Sequence, residues 1–205
     1  MRLTKKIYLP LMKRIICSPI FALLHPEIKK EIEYVKKKGC EVFPYDFNDD
    51  YKPSNYTAFM DDSCDLPYVL HDGKKLYFHK KWGGVDGAAF MYSTLRKEQD
   101  INSPHRYFTE TFSAQEDEVL IDVGSAEGME ALELVDAVKH IYMFEFSDKW
   151  LVPLRKTFEN YSSKVTIIPK MVSNRSGNQY IRIDEAIEPE HRNKVIMKLD
   201  VEGWN

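Results

Sequence analysis

Four short apolar runs alternate with segments of helical pattern: VLIDV at 119–123, IYMFEF at 141–146, VTIIPKMV at 165–172 and VIMKLDV at 195–201. This alternation constrains the fold more than any other feature of the 205-residue chain. Runs that are apolar at successive residues suit strands covered on both faces, which is the condition of a parallel sheet. After the first run Ala131, Leu134, Val135 and Val138 recur at helical spacing, with Glu130, Glu133 and Asp136 on the opposite face. After the second, Trp150, Leu154, Phe158 and Tyr161 form a comparable stripe, with Pro153 acceptable only near the helix start. Right-handed crossovers through a β-α-β-α-β-(short helix)-β order predict an open, doubly wound, Rossmann-like α/β sheet.

Ligands of such sheets bind beyond the carboxyl ends of the strands, where the strand order reverses. Three of the four runs close on a carboxylate, Asp122, Glu145 and Asp200, which is hard to reconcile with surface or capping roles alone. The first run enters a turn spaced Gly124-x-x-x-Gly128. A dinucleotide turn needs a glycine two residues after the first, so that the pyrophosphate can approach the helix N-terminus. Here Ala126 stands at that place, and Asp122 and Glu127 flank the turn. Their charge disfavours a pyrophosphate and suits a cofactor that carries positive charge, such as S-adenosylmethionine with its sulfonium and ammonium groups. Glu145 is placed to accept hydrogen bonds from two ribose hydroxyls, which NAD and S-adenosylmethionine folds share.

The stretches VLIDVGSAEG, YMFEFSDKW, VTIIPKMVSNRSG, RIDEAI and VIMKLDVEGWN resemble the successive motifs of the FkbM-like S-adenosylmethionine-dependent methyltransferases, over about residues 98–205. The upstream YVLHDGKKLYF and EQDINSPHRYF are similar to the leader of bacterial members. The resemblance implies a class I methyltransferase fold and O-methylation of a sugar, glycan or other small-molecule hydroxyl. It places Gly124, Ser125, Ala126 and Gly128 around the methionine portion of the cofactor with Asp122 in the same loop, Glu145 on the ribose, and Phe146 or Ser147 near the adenine. Met171 and Val172 line the adenine face or serve the core. Asp184 reads as a helix cap. Asp200, with Glu202 beside it, is the first candidate for the base that deprotonates the acceptor, or for a ligand to a metal that acidifies it; cofactor binding or capping are its alternatives. Family members continue past the position of Asn205 with further strands, so the resemblance implies a sheet whose C-terminal strands are missing, with an exposed edge. Two further readings stay open: a non-catalytic binding or scaffold module on this fold, and an NAD-dependent oxidoreductase or epimerase.

The first hundred residues are read as an N-terminal helical and hairpin extension that shapes the acceptor site, and 101–205 as the cofactor domain. Residues 26–38 have Pro26 at a helix start, Ile28, Ile32 and Val35 on one face, and Gly39 as a stop. Residues 44–65 read as an irregular connection. Asp72-Gly73 between two apolar runs predicts a two-residue hairpin, and residues 86–98 a helix. Ser103 and Pro104 are read as the cap and first residue of another helix, with Tyr107, Phe108 and Phe112 facing inward and His105 and Arg106 above the first strand, where His105 offers a base or a substrate ligand.

Residues 1–38 hold 10 Lys/Arg against 3 Asp/Glu, net +7, and the remainder is net −10. That acidity argues against a nucleic-acid partner, and none is expected. The apolar run at 15–24 is too short to span a bilayer; it is read as an amphipathic helix packed on its own protein, with a weak basic membrane-surface anchor as the alternative. Three widely spaced cysteines, Cys17, Cys40 and Cys64, match neither a disulfide framework nor a CxxC metal site and fit a reducing, cytoplasmic compartment.

Overall fold

The computed structural model describes residues 11–39 and 45–201, and the chain divides into two compact units, 1–52 and 53–205. The division falls at Lys52/Pro53 rather than near residue 100. The hairpin and the helix after it supply Val69, Leu76, Phe78, Ala88, Tyr92 and Leu95 to the same core as Leu120, Met129 and Ile141 of the parallel sheet.

In the first unit, residues 11–16 are helical and α1 follows at Pro19–Leu24, where the Ser18 hydroxyl accepts from the Phe21 amide at 3.1 Å. The helix forms as its cap requires, yet α1 buries none of its residues, contrary to the packed helix expected at 15–24. Leu11, Ile15, Ile20, Leu23 and Leu24 are exposed. A 3-10 turn at Pro26–Ile28 leads into α2 (Lys29–Lys38), which buries Ile32, Tyr34 and Val35 and ends at Gly39. Cys40 and residues 1–10 lie outside the described residues.

The second unit opens with three antiparallel strands in spatial order β1 (Ala58–Asp61), β2 (Leu66–His71) and β3 (Lys74–Tyr77). Between β2 and β3, Asp72 has φ 50° and Gly73 φ 79°, the two positive values a type I′ turn demands. β1 falls inside the stretch read as irregular; its AFMD carries little alternation and is held by pairing to β2. After α3 (Gly84–Glu98), residues 101–118 form turns and bends with no helix. The Ser103 hydroxyl does accept a backbone bond, from the His105 amide at 3.2 Å, but it closes a turn and not a helical cap, and Phe112 is exposed.

Then come β4 (Val119–Val123), α4 (Met129–Leu134), β5 (His140–Phe144), α5 (Asp148–Thr157), β6 (Val165–Ile168), a small parallel pair β7 (Met171–Val172) and β8 (Tyr180–Ile181), α6 (Ile183–Ala186) and β9 (Val195–Leu199). The four long strands are parallel in the order β6-β5-β4-β9. The chain therefore builds outward from β4 on one side and returns to its other side, placing the reversal of strand order between β4 and β9. The protein has an α/β, Rossmann-like fold. One face of the sheet packs Leu120, Ile141, Met143 and Ile196 against Met129, Leu132, Val135, Leu154 and Phe158; the other gathers Val119, Ile121, Val123, Tyr142 and Phe144 around Ile187. Burying each such side chain contributes about 1.5–3 kcal/mol. On that second face, however, Val195, Met197 and Leu199 of β9 are exposed, as is Val201 just beyond it.

Candidate functional site

The crevice at the β4/β9 reversal is built by the turn after β4. Gly124 has φ 79°, and a Cβ there would stand 1.9 Å from the Asp200 carbonyl oxygen, so only glycine lets the turn lie against the end of β9. The Gly124 and Ser125 amides both donate to the Phe144 carbonyl at 2.9 and 3.2 Å, tying the turn to β5. The Ser125 hydroxyl donates to the Asp122 carbonyl at 2.9 Å, so Ser125 is buried and shapes the loop from within. Gly128, also with positive φ, sits where a Cβ would meet Leu154, Met143 and Phe158.

Glu145 follows β5 and is half-buried. One carboxylate oxygen accepts from the Ala126 amide at 3.0 Å and the other from the Ser147 amide at 2.7 Å, so the carboxylate stitches the glycine turn to the start of α5. One lone pair remains on each oxygen. Phe146 is exposed and Ser147 half-buried beside it, while Met171 and Val172 are half-buried in β7, with Val172 packed toward the second core. Asp184 pairs with Arg182 at 2.6 Å and does not act as a cap by side-chain hydrogen bond.

Asp122 behaves differently from its expected place at the rim. It is the fourth residue of β4, fully buried, and paired across the sheet with Lys198, Nζ to Oδ1 3.1 Å. Lys198 also donates to the Gly124 carbonyl at 3.2 Å. Burial by itself disfavours the ammonium, but Asp122 and then Glu130 overcome that and hold the Lys198 pKa well above its ordinary value. Glu127 and Glu130 are both buried as well, although Glu130 was expected on the outer face of the helix. Burial, reinforced by their mutual repulsion, pushes the Glu127 carboxyl up to about 8; burial is likewise the main cause that pushes Glu130 up to about 7. The carboxylates thought to repel a pyrophosphate are thus neutralised or buried, and Ala126, with φ 47°, is what remains of that discrimination.

Asp200 is exposed at the end of β9. Its amide donates to the Val123 carbonyl at 2.9 Å, and its Oδ2 accepts from the Tyr107 hydroxyl at 2.7 Å. Burial first, then this bond, raises the phenol's pKa. The Lys198 ammonium stands 5.2 Å from the Tyr107 ring centre. The loop before β4 therefore does reach the crevice, but through Tyr107. His105 is exposed on a turn and faces half-buried Glu98, whose carboxyl pKa burial raises and His105 lowers. Glu202 lies outside the described residues. A groove of about 360 Å³ runs along Thr111, Phe112, Val195 and Met197, at the opposite end of β9 from Asp200, and is separate from the crevice.

Lys198 was not singled out from the sequence, Tyr107 was read only as an inward-facing residue of a helix and Glu130 as solvent-facing, whereas Glu127 was placed beside the turn but not buried. For Lys198 a signal existed: a lysine inside an apolar strand run, with an aspartate inside another, is the pattern of a cross-strand ion pair.

No family model matches the chain, and no curated protein matches it significantly. Among solved structures, the X-ray structure of precorrin 8w decarboxylase from Methanobacterium thermoautotrophicum is similar over 26% of this chain and 30% of that one, at 21% identity and a TM-score of 0.24. So partial a likeness carries no argument about chemistry.

Proposed function

We propose that the protein is an S-adenosylmethionine-dependent methyltransferase acting on a hydroxyl of a small-molecule or glycan acceptor. The observation that carries this reading is the crevice at the strand-order reversal, with the Gly124 turn closed against Asp200 and the partly exposed carboxylate of Glu145 held beside it. The resemblance of the same stretches to FkbM-like enzymes supports it further. The donor set fits the cofactor in one respect: Glu145 keeps an acceptor lone pair on each oxygen for the ribose hydroxyls, beside the partly exposed Gly124 and Ala126 of the turn. When bound, the cofactor supplies a methyl group on a sulfonium, so the chain's residues have to align the acceptor and take its proton. Asp200, exposed and hydrogen-bonded to Tyr107, is the base in this scheme, and Tyr107 orients its carboxylate. Lys198, neutralised by Asp122, holds the turn and the end of β9 together beneath them.

Calorimetric titration with S-adenosylhomocysteine, with NAD as the control, tests the reading. Micromolar binding of the first alone is expected, and Glu145→Ala should weaken it at least tenfold; unaltered affinity in that variant sinks the ribose assignment. A second reading, a non-catalytic module, is favoured by one observation: both oxygens of Glu145 already serve backbone amides. It requires that the wild-type chain bind neither nucleotide and that Glu145→Ala lose stability only.

We place the protein in the cytoplasm, where Cys17 and Cys64, both unpaired, stay reduced. Among the described residues no helix is long and apolar enough to cross a membrane. The exposed apolar residues of 11–24 lie in a segment of strong positive charge, which suits weak contact with an anionic membrane surface. Co-sedimentation with phosphatidylserine vesicles that weakens with salt is the expected result; equal binding to neutral vesicles would exclude the charge term.

A further inference from the structure

Outside the crevice, one buried histidine is poised for a ligand. His71, the last residue of β2, is wholly buried. Its Nδ1 lies 2.9 Å from the Tyr92 hydroxyl of α3. Its Nε2 faces two carboxylates, Glu133 Oε1 of α4 at 3.0 Å and Asp72 Oδ2 of the hairpin turn at 4.0 Å. Yet Nε2 has no hydrogen-bond partner: at 3.0 Å the Glu133 oxygen is close enough, but it stands off the axis along which a ring N–H points. An ordinary histidine–glutamate pair would place the oxygen on that axis.

We propose that His71, Glu133 and Asp72 form a site for a divalent transition metal of the zinc class, clipping the hairpin to the helix α4. The three ligand atoms all lie within 4.8 Å of one another. Around a four-coordinate zinc, with bonds of about 2.0–2.1 Å, ligand atoms stand about 3.3–3.4 Å apart. The separations of 3.0 and 4.0 Å bracket that spacing, and the longer one belongs to an exposed side chain at a turn, Asp72, which is free to close it. One imidazole with two carboxylates, completed by water, selects zinc, cobalt or nickel over magnesium and calcium, which take all-oxygen shells. Nδ1 held by Tyr92 supplies the outer hydrogen bond that fixes the ring and leaves Nε2 to the metal. The neighbouring cation Lys74 is engaged elsewhere, by Asp136 at 2.7 Å and the Leu132 carbonyl at 3.2 Å, so it does not occupy the place between the carboxylates. Because the ligands come from two separate elements, metal binding adds to folding free energy. This inference is independent of the methyl-transfer reading.

The test is titration of the full chain with Co²⁺, followed by visible absorption, in a background with Cys17, Cys40 and Cys64 changed to serine so that thiols do not compete. One equivalent binding with a saturable band in the visible is expected. Glu133→Gln and Asp72→Asn should each weaken it at least tenfold, since loss even of an outer-shell partner of a metal ligand costs 10–100-fold. Both residues are partly exposed, at 33% and 71% of the side chain, so their variants fold, which circular dichroism checks. Absence of stoichiometric binding in the parent chain overturns the proposal, and so does binding that neither variant alters.

Discussion

At the scale of single residues, the crevice depends on charges that have left water. Removing one partner of a buried ion pair leaves the other uncompensated and costs about 3–5 kcal/mol, whereas removing both costs far less. Lys198→Met should therefore lower stability by about that amount, and adding Asp122→Leu should restore most of it; denaturant midpoints of the two variants decide this. The buried glutamates give a pH dependence of definite sign. Glu127 moves from 4.5 to about 8 and Glu130 to about 7 on folding, so between those limits the native chain holds more protons than the unfolded one. Their protonated forms impose no penalty below pH 4.5, and stability falls as the pH rises through 7 to 8. Glu127→Gln should flatten that decline, read as a rise in urea midpoint that grows steadily from pH 5.5 to pH 8.5.

At the scale of elements, what was legible was whatever a local pattern decides alone. The strands β4, β5, β6 and β9 follow from runs of apolar residues, and the hairpin from Asp72-Gly73, because a type I′ turn admits few other residue pairs. The helix expected after Ser103-Pro104 failed because the same pair also opens turns, and Phe112 found no core to face. Glu130 was assigned to solvent by helical periodicity, but Lys198, the charge it couples to in the interior, comes from a strand 68 residues further along and is invisible to any local window. The pairing of Tyr107, read only as an inward-facing residue, and the surroundings of His71 were missed for the same reason: their partners Asp200 and Glu133 are remote in sequence. The strand β9 carries a prediction of its own. Its exposed Val195, Met197 and Leu199 form an apolar row on a strand that has no neighbour on its other side among the described residues. Such rows favour pairing between copies. Met197→Lys with Leu199→Lys should reduce concentration-dependent association in light scattering, with native circular dichroism retained.

At the scale of the whole molecule, the parallel sheet joins segments that the chain separates widely. The turn that holds the crevice is made at residues 124–128, but its carbonyl at Gly124 and the carboxylate of Asp122 are both secured by Lys198, and Gly124 lies against the backbone of Asp200. Closing a loop of some seventy residues costs entropy before any contact returns it, and sheets dominated by such pairings form slowly. During synthesis, then, the glycine turn emerges long before the strand that shapes it. The nascent chain carries the sequence of the crevice without the crevice, which is complete only once β9 pairs with β4.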